Sequence, residues 1–165
     1  MVPLIVFVVV TAGIHVAGLA GVRRLRPWPV ALRGGLAALF TTTGVAHFVG
    51  MRAELIAMVP PALPDPALLV TISGVLELAG AVGLLLRPTA PWAAGCLAAM
   101  LVALYPANVY AALEGTTAAP GDALLARTLI QLLWLGAAVA VVVSAVRARR
   151  QERGAPAPAP QTTRP

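Results

Sequence analysis

The stretch ISGVLELAGAVGLLL, residues 72–86, places one carboxylate, Glu77, in the middle of an otherwise apolar run. A transmembrane helix needs about 20 predominantly apolar residues, and with its upstream neighbours this run covers residues 66–86. Gly74 and Gly80 lie about one turn from Glu77 on either side, where small residues let a second helix approach closely. We therefore expect a membrane helix whose Glu77 faces protein and not lipid.

The composition of the whole chain is that of a membrane protein. Of its 165 residues, 59% are hydrophobic and 11% are charged, with a mean hydropathy of +0.88, whereas an ordinary globular domain is about 25% charged. The net charge of +6 comes from arginines at the ends of apolar runs, which argues against a nucleic-acid-binding face. The single cysteine, Cys96, excludes a disulfide framework and a thiolate metal cluster.

Five segments are long and apolar enough to cross a bilayer: residues 2–20, 31–50, 66–86, 91–113 and 124–146. An odd number of crossings puts the two termini on opposite sides. One side collects nine arginines: Arg23, Arg24, Arg26, Arg33, Arg87, Arg147, Arg149, Arg150 and Arg153. Basic residues in short flanking loops stay in the cytoplasm. The prediction is an all-α polytopic membrane helix bundle with its N-terminus outside and its C-terminus in the cytoplasm.

The ends of the chain and one loop are assigned separately. Residues 1–22 are predicted to be an N-terminal transmembrane helix and not a cleaved signal peptide, because they lack a positive n-region and their apolar run is too long. Residues 147–165 are basic and then rich in proline and alanine, which predicts a disordered cytoplasmic tail. Residues 51–59 have the pattern of a short helix lying in the outer interface, ended by Pro60 and Pro61.

Several polar side chains fall inside the predicted spans, where each is a hypothesis for a functional site. At about 1.5 Å per residue, Asn108 lies about 7 Å and Gln131 about 10 Å below the outer edge of its helix, a depth comparable to that of His47. Glu77 lies deeper, at about 16 Å. These depths predict one polar pocket open to the outer face, with Glu77 at its floor and Tyr105 or Tyr110 as its wall.

Arg127 and Pro106 extend this prediction. Arg127 stands one turn above Gln131. One alternative is a direct ion pair between Arg127 and Glu77. In the other, the amide of Gln131 lies between the two side chains and bonds to both. Pro106 has no N–H to donate to the carbonyl of Val102, which predicts a freed acceptor in the fourth of the five spans.

The polar residues have two other interpretations, interhelical hydrogen bonding and haem ligation. Hydrogen bonds from Asn, Gln and His often hold membrane helices together and contribute about 0.6–2 kcal/mol each. A bis-histidine haem would need His15 and His47 at one depth, but they lie about 20 Å and about 5 Å below the outer surface. No residue spacing indicates a metal site or a dinucleotide-binding loop.

Five stretches in this order resemble the DoxX family of small bacterial membrane proteins: GVAHFVG (44–50), MVPPALPDP (58–66), ISGVLELAGAVGLLL (72–86), PANVYAAL (106–113) and LARTLIQLLW (125–134). The resemblance implies a four-helix bundle over residues 31–146, to which the N-terminal helix is extra, in a bacterial cytoplasmic (inner) membrane. It carries over His47, Glu77, Asn108, Arg127 and Gln131 as motif positions. It also implies an association with quinone-linked redox complexes.

Three functions are compatible with these residues. The first is a quinone-interacting subunit of a membrane redox complex, with Glu77 as a proton relay, quinone as the ligand, and electrons from a membrane or soluble partner protein. The second is a non-catalytic assembly or stability subunit in which the same residues lock the bundle. The third, placed lower because only one deep carboxyl and no repeat pair are present, is small-solute or proton transport. Enzymatic activity is left open, as are the oligomeric state and the packing of the first helix.

Overall fold

The computed structural model describes residues 2–114 and 124–154, and all regular secondary structure in these residues is helical. The helices are α1 (Val2–Leu19), α2 (Trp28–Ala46), α3 (Arg52–Ala57), α4 (Pro66–Leu85), α5 (Ala90–Glu114) and α6 (Leu124–Gly154), with a single 3-10 turn at Arg23–Leu25. Four of them, α1, α4, α5 and α6, are long and apolar enough to cross a membrane. The predicted all-α membrane protein is confirmed at this level.

α2 is not among those four helices, although it has 19 residues. Its hydropathy is lowered by Arg33 and by three consecutive threonines, residues 41–43. It is nevertheless well enclosed, with seven buried residues compared with two in α1. Polar side chains are tolerated in α2 because neighbouring helices, and not lipid, cover much of its surface.

Close contacts fix the order and direction of the long helices. The contacting pairs are Gly35 with Thr11, Gly74 with His47, Gly80 with Leu97, and Gln131 with Leu101. Each pair joins consecutive long helices in opposite directions, so α1 and α6 run the same way and Val2 and Gly154 lie at opposite ends. α2 packs against α6 as well as α4, which closes a four-helix bundle of α2, α4, α5 and α6, and α1 packs mainly on α2.

The two halves of the bundle differ in chemistry. We call the end formed by the α1–α2 and α4–α5 connections and by the last turns of α6 the basic end, because Arg23, Arg87 and Arg147 are exposed there. The half nearer this end holds the apolar core, which includes Leu36, Leu39, Phe40, Leu84, Leu97, Ala138 and Val141. The half nearer the opposite end holds the buried polar residues His47, Ser73, Glu77 and Gln131.

The ends of α6 and α2 differ from the sequence-based expectations, whereas α3 agrees with them. α6 continues to Gly154, so residues 147–154 of the predicted tail are helical, while residues 155–165 lie outside the described residues. α2 ends at Ala46 and not at residue 50. The short helix expected within residues 51–59 is present as α3, Arg52–Ala57.

Arg33 ties α2 to the C-terminal end of α4. Its Nε donates to the carbonyl of Leu84 at 2.8 Å and its Nη2 to the carbonyl of Leu85 at 3.1 Å, two of the acceptors that a helix leaves unpaired at its end. Because hydrogen bonds from charged groups contribute about 1.5–3 kcal/mol, Arg33→Met should lower the free energy of unfolding by about 2 kcal/mol. Unfolding in detergent micelles, followed by circular dichroism, measures this change.

The exposed Arg87 at the same end provides the control. Arg87→Met should change the free energy of unfolding by less than about 0.5 kcal/mol. Equal losses in the two variants would mean that Arg33 contributes general charge and not these two hydrogen bonds.

Candidate functional site

The buried carboxyl of Glu77 faces α2, where Thr43 and His47 are its partners. The hydroxyl of Thr43 lies 2.5 Å from Oε2 of Glu77, and Nδ1 of His47 lies 4.0 Å from the same oxygen. Glu77 is 6% exposed and His47 is 7% exposed. The prediction that Glu77 faces protein is therefore confirmed by its burial. We call Thr43, His47 and Glu77 the α2–α4 cluster.

Two glycines allow α2 and α4 to come close enough for these contacts. A Cβ at Gly44 would lie 3.2 Å from Cβ of Glu77, and a Cβ at Gly74 would lie 2.6 Å from Cβ of His47. Small residues at such positions let helix backbones approach each other in membranes. Because of this close approach, the short side chain of Thr43 reaches the carboxyl of Glu77, and the imidazole of His47 lies beside it.

The Thr43 hydroxyl can satisfy Glu77 in either protonation state. Besides Oε2 of Glu77, its Oγ1 lies 3.2 Å from the carbonyl oxygen of Leu39. When Glu77 is ionised, the hydroxyl donates to the carboxylate; when Glu77 is protonated, the carboxyl donates to Oγ1 and the hydroxyl donates to Leu39 instead. A proton can thus enter or leave Glu77 without leaving Oε2 or the Thr43 hydroxyl unpaired.

His47 is held in one tautomer by the backbone of α2. Its Nδ1 lies 2.8 Å from the carbonyl oxygen of Thr43, and since a carbonyl only accepts, Nδ1 carries the proton and Nε2 is the other, acceptor nitrogen. Among the described residues, neither Nε2 of His47 nor Oε1 of Glu77 has a hydrogen-bond partner, and neither is fully buried. These two atoms are the ones with which the cluster can bind another molecule.

Arg52 of α3 fixes the end of α2 that carries His47. Its Nη1 donates to the carbonyl of His47 at 3.2 Å, and its Nη2 donates to Oγ1 of Thr71 at 3.0 Å and to the carbonyl of Ala67 at 3.3 Å. Arg52 thereby joins α3, the end of α2 and the first turns of α4. The sequence analysis did not assign a role to Arg52 or to Thr43.

A second polar group, which we call the α5–α6 network, joins the other two helices of the bundle. Nδ2 of Asn108 donates to Oε1 of Gln131 at 3.0 Å, and Nε2 of Gln131 donates to the carbonyl of Leu101 at 2.5 Å. Nη1 of Arg127 reaches Oδ1 of Asn108 at 3.4 Å. The hydroxyl of Tyr105 lies 2.8 Å from Oγ1 of Thr128.

The residues of the predicted pocket therefore fall into two groups. His47 and Glu77 lie in the α2–α4 cluster, whereas Tyr105, Asn108, Arg127 and Gln131 lie in the α5–α6 network. Among the described residues, no hydrogen bond or ion pair joins the two groups. Among the described residues, the basic side chain beside Glu77 is that of His47 and not that of Arg127, and both polar atoms of the Gln131 amide bond to α5.

Pro106 lies inside α5, and α5 continues through it. The backbone acceptor that a side chain uses near it is the carbonyl of Leu101, which receives Nε2 of Gln131. The freed acceptor at Val102 stays a prediction, because it rests on the missing N–H of Pro106. A backbone acceptor for a membrane-buried amide is thus present one residue earlier in the chain.

Comparison with known proteins gives one family for this chain. Residues 36–149 match a family described as a domain of unknown function, DUF8561. The chain belongs to the DUF8561 family. The DUF8561 match begins inside α2, includes both polar groups and ends inside α6, so it covers the four-helix bundle and leaves α1 outside. No curated protein and no solved structure matches the chain. The resemblance to the DoxX family stays a prediction.

The part of the DUF8561 domain that the structure describes offers no metal site. Across residues 2–114 and 124–154, no group of three or more His, Cys, Asp or Glu residues is placed to hold an ion. His15 and His47 are also far apart in the fold, since His15 is near the basic end and His47 is at the opposite end of α2.

Proposed function

We propose that this protein is a quinone-interacting subunit of a membrane redox complex, and that Glu77 and His47 exchange protons with the quinone. One observation carries the proposal: Oε1 of Glu77 and Nε2 of His47 have no partner among the described residues and retain accessible surface. A buried ionisable pair inside a membrane bundle marks a functional site by default. The hydroxyl of Thr43 supports the same role, because it can donate either to Glu77 or to the carbonyl of Leu39 and so fits both the ionised and the protonated form of Glu77.

The chemistry needs two electrons and two protons for each quinone that is reduced to a quinol. A membrane or soluble partner protein supplies the electrons. A protonated Glu77 gives the first proton to the quinone, and a His47 protonated at Nε2 gives the second. When the quinol is oxidised in the reverse reaction, the two side chains take these protons back. Arg52 acts as a positioning residue because it holds the end of α2 that bears His47.

The proposed topology has five spans. α2 crosses the bilayer as the fifth, since α1, α4 and α6 cover much of its surface and its connections at both ends lead to spanning helices. The basic end faces the cytoplasm by the positive-inside rule. The α2–α4 cluster then lies in the outer half of a bacterial cytoplasmic membrane, as the resemblance to the DoxX family implies.

A second candidate function is supported by the α5–α6 network. Both polar atoms of the Gln131 amide and both of the Asn108 amide are bonded to other residues of the chain, as expected of groups that hold helices together. If the α2–α4 cluster has the same task, the protein is a non-catalytic assembly or stability subunit. The network residues Tyr105, Asn108, Arg127 and Gln131, first considered as ligand contacts, are structural under both functions.

The proposal is tested by thermal unfolding of the detergent-purified protein with and without a soluble quinone analogue. A ligand that binds only the folded state stabilises it by about 2.7 kcal/mol at 100 times its Kd, so the Tm of the wild type should rise with analogue concentration. Glu77→Leu should lose this rise, because leucine offers no hydrogen-bonding atom to a quinone oxygen. Ser73→Ala is the control, since Ser73 is buried one turn from Glu77 and its hydroxyl bonds only within α4.

Each outcome separates the two functions. A rise in Tm in the wild type and in Ser73→Ala, but not in Glu77→Leu, supports the quinone site. If no protein responds to the analogue and Glu77→Leu only melts at a lower temperature, the cluster is interhelical bonding and the assembly function is favoured.

A further inference from the structure

A groove runs along the outside of the bundle between α1 and α6. It has a volume of about 640 Å³ and is lined almost entirely by apolar side chains, among them Phe7, Val8, Leu132 and Leu133. Its size is within the range of about 300–1,000 Å³ that is typical of sites for small ligands. Because the groove is formed by two spanning helices, a molecule reaches it from the bilayer.

His15 is the polar side chain that this groove presents. It is exposed on a helix that is otherwise apolar, and no hydrogen bond to it occurs within the described part of the chain. Thr11 also lines the groove, but its hydroxyl oxygen packs against Gly35 of α2. A polar side chain on a lipid-facing surface costs free energy unless it has a hydrogen-bond partner. For His15, that partner must be a polar atom from outside the chain.

The depth of His15 indicates which atom that is. His15 lies four residues before the end of α1 at Leu19, which is about 6 Å along the helix axis. This position is near the boundary between hydrocarbon and head groups at the basic end. The ester and phosphate oxygens of a phospholipid lie at that boundary, while its acyl chains extend toward the bilayer centre.

Both walls of the groove lead to arginines at the basic end. α1 is followed by Arg23 and Arg24, and α6, which runs in the same direction, continues to Arg147 and Arg149, all of them exposed. Each arginine near the membrane surface strengthens the attraction to anionic lipid severalfold. The charge therefore favours an anionic head group over a zwitterionic one.

We infer that the α1–α6 groove binds an acyl chain of an anionic phospholipid from the leaflet at the basic end, with the imidazole of His15 hydrogen-bonded to an ester or phosphate oxygen. The site is independent of the proposed quinone site, because it lies on the outer surface of the four-helix bundle and shares no residue with the α2–α4 cluster. Its lipid joins α1 to α6, two helices that otherwise make few contacts.

Two glycines allow a matched test. A Cβ at Gly136, which lines the groove, and a Cβ at Gly13, which does not, would each meet no atom within 4 Å. Gly136→Leu fills the groove, whereas Gly13→Leu adds the same side chain elsewhere on the surface. Delipidated protein is titrated with phosphatidylglycerol or phosphatidylcholine, and bound lipid is counted by native mass spectrometry.

The wild type and Gly13→Leu should bind phosphatidylglycerol about tenfold more tightly than phosphatidylcholine. Gly136→Leu should bind phosphatidylglycerol about tenfold more weakly than the wild type. His15→Leu, which keeps the groove open, should also weaken binding, and it carries the test if Gly136→Leu does not fold. Equal binding of the two lipids, unchanged binding by both groove variants, or a quinone displacing the phospholipid from the groove would overturn the inference.

Discussion

Gly74→Ala is expected to lower the free energy of unfolding by about 1–3 kcal/mol. The added Cβ would lie 2.6 Å from Cβ and 3.0 Å from Cγ of His47, and 2.9 Å from Cε2 of Phe48. Because Cβ of His47 is fixed to its backbone, relief requires α2 and α4 to separate. Separation would stretch the contact between Thr43 and Glu77, so the quinone response should be lost as well.

Gly95→Ala is the matched change in α5. A Cβ at Gly95 would meet no atom within 4 Å, and alanine is favoured over glycine inside a helix by about 0.5–1 kcal/mol. Unfolding in detergent micelles should therefore show opposite signs for the two variants. Destabilisation by both, or by neither, would contradict the close approach of α2 and α4 at Gly74.

Thr43→Val is expected to destabilise the protein by about 1–3 kcal/mol, since it removes the hydroxyl that bonds to Glu77 and leaves a buried carboxyl without that partner. Thr43→Ser should recover most of the loss because it restores the hydroxyl. Thr42→Val is the control: the Thr42 hydroxyl bonds only to the carbonyl of Ala38 in its own helix. It should change stability by less than about 0.5 kcal/mol.

A double-mutant cycle with Glu77→Leu isolates the interaction between Thr43 and Glu77 from their contacts with other residues. Once Glu77 is leucine, Thr43→Val should cost much less than it does in the wild type, and the difference is the coupling between the two side chains. Chemical denaturation of the four proteins under one set of detergent conditions measures it. If Thr43→Val costs the same in both backgrounds, the short contact contributes nothing to stability.

Hydropathy alone was sufficient to predict the long helices, because a run of about 20 apolar residues has few alternatives in a bilayer. It also predicted that Glu77 faces protein, since the cost of a carboxyl in lipid excludes the other orientation. The hydropathy criterion is less decisive for α2. Arg33 and the threonines lower its hydropathy, and they are tolerated because this helix is enclosed by its neighbours.

The division of the polar residues into two groups could not be predicted from depth. The rise per residue gives the position of a side chain along the helix axis, but not the direction in which it points. Asn108, Gln131 and His47 were placed at comparable depths, yet Asn108 and Gln131 bond to each other between α5 and α6 while His47 lies between α2 and α4. Only the packing of the helices decides which residues of one layer meet.

Thr43 was not distinguished from the neighbouring threonines for a related reason. All three threonines of residues 41–43 bond to the carbonyl four residues earlier, so composition and local structure do not distinguish them. The helical phase does distinguish them, because Thr43 is four residues before His47 and thus on the same face of α2. A sequence analysis that followed this face from His47 would have found Thr43 as the nearest polar neighbour.

α6 is longer than the thickness of the hydrocarbon core, so part of it extends beyond the bilayer at the basic end. Its 31 residues span about 46 Å, whereas the hydrocarbon core is about 30 Å thick, so about 16 Å of rigid helix projects from the bilayer with Arg147, Arg149, Arg150 and Arg153 along it. A change in tilt of about 20° would sweep the tip of this projection sideways by about 5 Å. Any change in the tilt of α6 would therefore be larger at the tip of this projection than inside the bilayer.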